Sequence, residues 1–498
     1  MGWEAPAVSN PNGGTDKKTF NDTVRMSQFV CKGTLAGTYT VGGTNPDYAS
    51  LGEAMESMVT CGISAPVVLK LRSGNYAAQQ IKGSIKGAST TNTVTVMPDS
   101  GASVIIDGGT TSASLTITNT AHWIFKNLTI GNTTNGLIGV LMQEDLEDIT
   151  FRDCKIYSSK TTTSNNSYAV GYPNASNSGK IPVNVRFIHN DICGGYYNFY
   201  LYYMASSSSL MTSASLQIDS NTLSEAYYAS IYTYFYSSIS SLSYNTITNR
   251  ANATDFFGVY AMYYTAWDKI EANRIHIAGS GSVYGFYICC YSQNSSVRKA
   301  YMTNNEIIVN NIQSTKNANK YGIYLYDPYG IWEVHHNSIC VNSDGATNYG
   351  MYLYSSSTSY KINASRNLVN CDGKSTNYPL YISSAANASN AYGIREYNNL
   401  YSSTYVAYVG GAKTSIGDLQ KASAQVDFSA NGNYYFEACM QSQDDNSAND
   451  TARDSSIVIR QDIAISTIQG IDDQTIKMVG DTVFISAVIV NKGAPTGS

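Results

Sequence analysis

Through the middle of the chain, apolar and polar residues alternate every second position in short runs, separated by clusters of Ser, Asn, Thr and Gly. That period marks half-buried strands, and the runs are rich in the Tyr, Ile, Val and Phe that suit a pleated surface. In YGIYLYD, strict alternation puts Tyr321, Ile323 and Leu325 on one face and Gly322, Tyr324 and Tyr326 on the other. The runs recur: Tyr200, Tyr232, Tyr260, Tyr287, Tyr324, Tyr352, Tyr381 and Tyr408 stand 27 to 37 residues apart. A second column keeps the same pace, an Asn followed two residues later by an apolar residue. Its members are Asn190, Asn221, Asn245, Asn273, Asn305, Asn337, Asn367 and Asn399, at intervals of 24 to 32. Roughly 30 residues hold about three short strands and their turns, one coil of a solenoid.

In such a coil each strand pairs with its counterpart one coil away, about 4.8 Å distant, so equivalent side chains form continuous rows. An Asn row at a bend can bond backbone groups and its own neighbours. The apolar residues two places on, Ile192, Leu223, Ile247, Ile275, Ile307, Ile339 and Val369, are expected inside. If Ile323 and Leu325 also face inward, an outward strip contains Tyr200, Tyr232, Tyr260, Tyr287, Tyr324, Tyr326, Tyr352 and Tyr354, interrupted in its second lane at Met262 and Cys289. Such a strip binds sugar rings or a protein partner, or only stabilises the sheet. The opposite parity would bury it.

The ends read differently. Asp47 or Ser50 can cap a short helix with Leu51, Ala54, Met55 and Met58 on one face, covering the open end of the solenoid. Early coils are expected around residues 103–109 and 122–131, with Asn127 as an early member of the Asn row. Past residue 438 the chain is polar, acidic and aperiodic, then alternates again. The expected divisions are an N-terminal extension (1–36), a strand, helix and strand cap (37–89), a β-helix (90–438), a linker (439–456) and a partial β module (457–498).

HNDI, HNSI, NNEI and the YGIYLY-type runs resemble the pectate-lyase-like right-handed parallel β-helix family, over roughly residues 90–435. The resemblance implies an all-β fold, a right-handed single-stranded parallel β-helix with a short capping helix and a C-terminal β-sandwich-like fragment. Residues 37–76 are similar to the opening of secreted or cell-surface β-helix proteins of the Bacteroidetes group, which implies export. The segment from Asp462 resembles the first strands of an immunoglobulin-like surface module. Only about 40 residues remain there, too few for a sandwich of roughly 100, so the chain reads as part of a larger multi-module protein or assembly.

Composition narrows the function. Charged residues make up 13% of the chain and the net charge is -5, so the basic footprint of a nucleic-acid binder is missing. No run of 18 apolar residues suggests a membrane-spanning helix. Cys31 and Cys61 flank the cap and could pair or stay free; no Cys-x-x-Cys or zinc spacing occurs, and no cofactor or metal is expected.

A β-helix lyase or glycosidase needs carboxylates gathered on neighbouring coils. The positions flanking the Asn row gather none, and Arg274 with Glu306, one coil apart, reads as a surface ion pair. The weak catalytic candidates are Asp327, Glu333, His335 and His336 in DPYGIWEVHHN, weighed against a decorated turn. Two readings stand. The favoured one is a secreted or cell-surface structural or adhesive rod whose partner is a polysaccharide or another surface protein. The other is a polysaccharide lyase or glycoside hydrolase.

Overall fold

The computed structural model describes residues 33–419 apart from 111–112, 174–179, 208–212, 290–298, 312–317, 329, 345–346, 357–360, 375, 384–391, 395–397 and 416–417. It also describes Cys31 and the strands Trp3–Glu4, Arg25–Met26, Tyr434–Glu437, Ile463–Gln469 and Ser486–Asn491. The chain divides into two compact units, residues 1–426 and 427–498.

The first unit is a right-handed parallel β-solenoid of about 11 turns. Each complete coil contributes a strand to three faces. One face is a 12-stranded parallel sheet running from Gly74–Tyr76 to Asn399–Ser402, each strand of its later part preceded by a ladder Asn. The second is the tyrosine face, with strands such as Tyr197–Tyr202, Lys320–Tyr326 and Asn348–Tyr354. The third includes Lys299–Thr303, Ile331–His335 and Lys361–Ser365.

Alternation along the first sheet sends Ile192, Leu223, Ile247, Ile275, Ile307, Ile339 and Val369 into the interior, each at most 1% exposed. Near the N-terminal end the interior is a file of stacked rings, Phe125, Phe151 and Phe187, with centroids 4.8 Å apart.

The Asn row closes the corner between the third face and the first. Each ladder Asn from Asn190 to Asn367 donates from Nδ2 to a backbone carbonyl and to the next Asn, and from Asn221 onward its Oδ1 accepts from the backbone N–H and Nδ2 of the Asn before it, while Asn190 Oδ1 accepts from Cys154 N. For Asn305 the four bonds are to Ile270 O (3.1 Å), Asn337 Oδ1 (2.8 Å), Asn273 N (3.1 Å) and Asn273 Nδ2 (2.9 Å). The residue before each Asn is left-handed: His189, Ser220, Tyr244, Ala272, Asn304, His336 and Arg366 have φ of 52° to 59°.

Two expected members of the row are corrected. Its last member is Asn398, which accepts from Asn367 N and Nδ2, while Asn399 lies one residue into the strand and is exposed. In NNLY the interior residue is Leu400, paired with Val369, and the ladder position is therefore the first Asn. Asn127 occupies the left-handed place (φ 56°), and the row position beside Cys154 falls to Leu128.

The helix is Leu51–Cys61, capped by Ser50, whose Oγ accepts from Glu53 N, with Leu51, Ala54, Met55 and Met58 buried. Asp47 instead ties the strand before it through Thr40 N and Oγ1 (2.7 and 2.8 Å). The strands flanking the helix, Leu35–Val41 and Ile63–Leu71, pair in parallel with each other, and the second pairs with Val94–Pro98. A Cys31–Cys61 disulfide closes this end. In the second unit, Tyr434–Glu437, Ile463–Gln469 and Ser486–Asn491 form a three-stranded antiparallel sheet. The expected linker, 439–456, lies outside the described residues.

Candidate functional site: the tyrosine face

Strict alternation fails at one place on the tyrosine face. Gly258, Gly285, Gly322 and Gly350 form a column at its edge, and a Cβ on each would meet an interior side chain: Ile275 Cγ2 at 3.1 Å, Ile307 Cγ2 at 2.6 Å, Ile339 Cγ2 at 2.4 Å and Val369 Cγ1 at 2.1 Å. The backbone therefore bends there with two successive residues facing inward. Beyond the bend Ile323 and Leu325 are fully buried, and Tyr324 and Tyr326 are half-buried on the outside. Before it, Tyr321 falls on the same outer side as Tyr324, contrary to the alternation expected from the sequence. Its ring stacks on Tyr284 and Tyr349 at 4.4 and 4.7 Å.

The face thus carries three lanes. The central lane, Tyr200, Tyr232, Tyr260, Tyr287, Tyr324, Tyr352, Tyr381 and Tyr408, is unbroken, with centroids 4.4 to 5.5 Å apart and neighbouring planes within 18°. The first lane, from Phe257 through Tyr284, Tyr321, Tyr349 and Tyr378 to Tyr405, meets the central lane edge-on, as in Tyr321 against Tyr324 at 86°. The third lane pairs Tyr202 with Tyr234 and Tyr326 with Tyr354, and Met262 and Cys289 stand between these pairs.

Because neighbouring rings in the central lane cover one another, their faces are occupied. The half-buried rings present their edges at the coil repeat, and the Tyr260 hydroxyl donates to Met262 Sδ (2.6 Å). Burial raises the hydroxyl pKa to about 12 at Tyr168 and, with neighbouring tyrosines adding to it, at Tyr381. These two phenols are neutral donors at physiological pH. Among the strands Tyr197–Tyr202, Ala229–Tyr234, Phe256–Met262, Val283–Cys289, Lys320–Tyr326, Asn348–Tyr354 and Asn377–Ile382, Lys320 is the only charged residue. It is buried, donates to Gly281 O, and burial lowers its pKa to about 8 against the pull of Asp255.

The four weak catalytic candidates separate. Asp327 is 4% exposed and accepts from Ser356 N, fixing the turn after the tyrosine strand. His336 is the left-handed residue before Asn337, and its pKa is lowered by burial, then by Arg366 and His335. Glu333 and His335 do meet on the third face, with Glu333 Oε2 2.9 Å from His335 Nε2. The next coil brings two residues that the sequence pattern did not place beside them. Asn363 Nδ2 donates to Glu333 Oε1 (3.0 Å), and Ser365 Oγ lies 2.8 Å from His335 Nδ1.

On the first sheet, Arg274 Nε reaches Glu306 Oε2 at 2.9 Å, and His276 Nε2 reaches its Oε1 at 2.8 Å. His276 and Arg274 hold this carboxyl below its usual range against desolvation. Among the described residues no cluster of three metal-ligating side chains occurs, and no helix is long and apolar enough to cross a membrane.

No family model matches the sequence, and no curated protein matches it. Among solved structures the chain is similar to the Dettilon tailspike protein (13% identity, TM-score 0.33), covering 74% of this chain and 65% of that one, less than two thirds of the tailspike's length. It is also similar to a lacto-N-biosidase from Eubacterium ramulus (10%, 0.38, covering 73% and 68%). A third is a mannuronic acid specific polysaccharide family 6 lyase from human gut microbiota (11%, 0.36, covering 78% and 90%).

Proposed function

We propose that this chain is an exported, stiff β-helix of the secreted or cell-surface kind, which displays its tyrosine face to an extended, uncharged polysaccharide. The observation that carries the reading is the unbroken central lane, a comb of phenol edges and hydroxyls repeating once per coil on strands without an exposed charge. Neutral hydroxyls spaced along one axis suit a polymer of hydroxyl-bearing rings, and an acidic polymer would meet no exposed cation on these strands, Lys320 being buried. The Cys31–Cys61 disulfide supports export, since such bonds persist in oxidising compartments. A place in a larger multi-module surface assembly, with the second unit as the start of an immunoglobulin-like module, belongs to the same proposal.

Affinity electrophoresis of the full chain through gels containing neutral or acidic polysaccharides tests it. Retardation by at least one neutral polymer is expected. Tyr324→Phe and Tyr352→Phe keep the stack and delete two hydroxyls. If each hydroxyl gives one hydrogen bond worth about 1 kcal/mol, each variant weakens binding about fivefold, with unchanged thermal unfolding. Retention by acidic polymers alone, or binding indifferent to both substitutions, would overturn the reading.

A further inference from the structure

Away from the tyrosine face, three side chains on two successive strands of the third face form a chain of hydrogen bonds. Register sets Glu333 beside Asn363 and His335 beside Ser365. We infer that Glu333, His335 and Ser365 form an acyl-transfer site, with Ser365 as nucleophile, His335 as its base and Glu333 as the positioning residue.

The argument is one of proton placement. An ionised carboxylate can only accept, so the 2.9 Å contact between Glu333 Oε2 and His335 Nε2 puts the imidazole proton on Nε2. Nδ1 is then left with its lone pair, and it faces Ser365 Oγ at 2.8 Å, where it accepts the hydroxyl proton. Asn363 Nδ2, 3.0 Å from Glu333 Oε1, holds the carboxylate in turn. A nucleophile within hydrogen-bond reach of a base, and that base oriented by a third group, is the arrangement that activates a serine. The strands supply a rigid frame: Ile331–His335 and Lys361–Ser365 pair in register over five residues.

The chemistry this geometry supports is hydrolysis of a carboxylic ester. Ser365 Oγ bonds to the acyl carbon while its proton passes to His335 Nδ1. The ester C–O bond breaks and the leaving alcohol takes that proton. Water then attacks the acyl-serine, gives a proton to Nδ1, and releases the carboxylic acid as Ser365 regains its hydrogen. Ser365 is 8% exposed, which restricts the acyl group to a small one such as acetyl. The inference rests on its own geometry and stands or falls apart from the tyrosine reading.

Labelling of the full chain with a fluorophosphonate probe, mapped by peptide mass spectrometry, and turnover of 4-nitrophenyl acetate test it together. Ser365 is expected to be labelled faster than the other serines. Ester turnover is expected to vanish in Ser365→Ala. His335→Ala slows labelling about 100-fold or more, the usual contribution of a general base. Glu333→Gln slows it too, and Glu333→Asp restores part of the rate, which a merely structural carboxylate would not do. Thermal unfolding of each variant separates lost chemistry from lost fold. If Ser365→Ala fails to fold, the wild-type label map decides alone. A map without Ser365, or a labelling rate indifferent to His335→Ala in a folded protein, would overturn the inference.

Discussion

At the corners from Ser220–Asn221 to Arg366–Asn367, a residue with positive φ is followed by an Asn whose amide makes at least four hydrogen bonds. A left-handed non-glycine residue costs about 1–2 kcal/mol, and the ladder offsets this because each buried amide is fully bonded. His189 and His336 occupy the same place in different coils as Ala272 and Ser220, so the turn is set by its backbone and by the Asn that follows it. Asn305→Ala removes one amide from the middle and leaves Ile270 O, Asn337 Oδ1 and Asn273 Nδ2 without that partner. With unsatisfied buried groups costing about 1–3 kcal/mol each, a loss of about 3 kcal/mol or more is expected in denaturant unfolding. A change within 1 kcal/mol would mean that the amide row is dispensable. Arg250 is a second buried staple, donating to carbonyls of Thr162, Ser159, Gly195 and Glu225 at 3.0 to 3.4 Å. Nothing in the repeat pattern marks it, because its partners come from separate turns.

On the scale of the element, the tyrosine lanes and the glycine column act together. Glycine lets the interior side chains approach the bend, and the bend brings Tyr321 onto the outer layer beside Tyr324. The layer also makes stability depend on alkaline pH. Burial raises the phenol pKa in the folded state, to about 12 at Tyr168, Tyr228 and Tyr381, against an ordinary value near 10. The unfolded chain therefore releases these protons first. The stabilisation is fully present below pH about 10 and is lost as the pH rises from there through the folded values. Unfolding midpoints should be flat up to pH about 10 and fall above it, in step with tyrosinate absorbance. A midpoint that holds steady to pH about 12 would show that the rings ionise without leaving the stack. The alternation was legible in the sequence, which left open whether Tyr324 and Tyr326 face out or in. The bend was not legible, because GIY and GMY read as ordinary alternation until the interior partners of Gly322 and Gly350 are known.

Over the whole molecule, a solenoid is held coil by coil, so its ends open more readily than its middle. The Cys31–Cys61 bond spans 30 residues of sequence around the helix that covers the first coil. A loop of that length contributes about 3–4 kcal/mol by chain entropy. Reduction is expected to speed hydrogen exchange in residues 33–71 while leaving the coils around Asn305 protected. Equal loss along the whole solenoid would instead mean a single cooperative unit. The sequence by itself determined the repeat, the strand character, the inward set from Ile192 to Val369 and the capping helix, because periodicity and burial are properties of local pattern. It put the end of the Asn row at Asn399 instead of Asn398, because two identical residues fit one local pattern and only the pairing of Leu400 with Val369 selects between them. The tertiary structure alone decided which ring faces are covered, and that Glu333 and His335 are completed by Asn363 and Ser365. Those contacts join residues one coil apart, and no local pattern states which side chains the winding of the chain will set side by side.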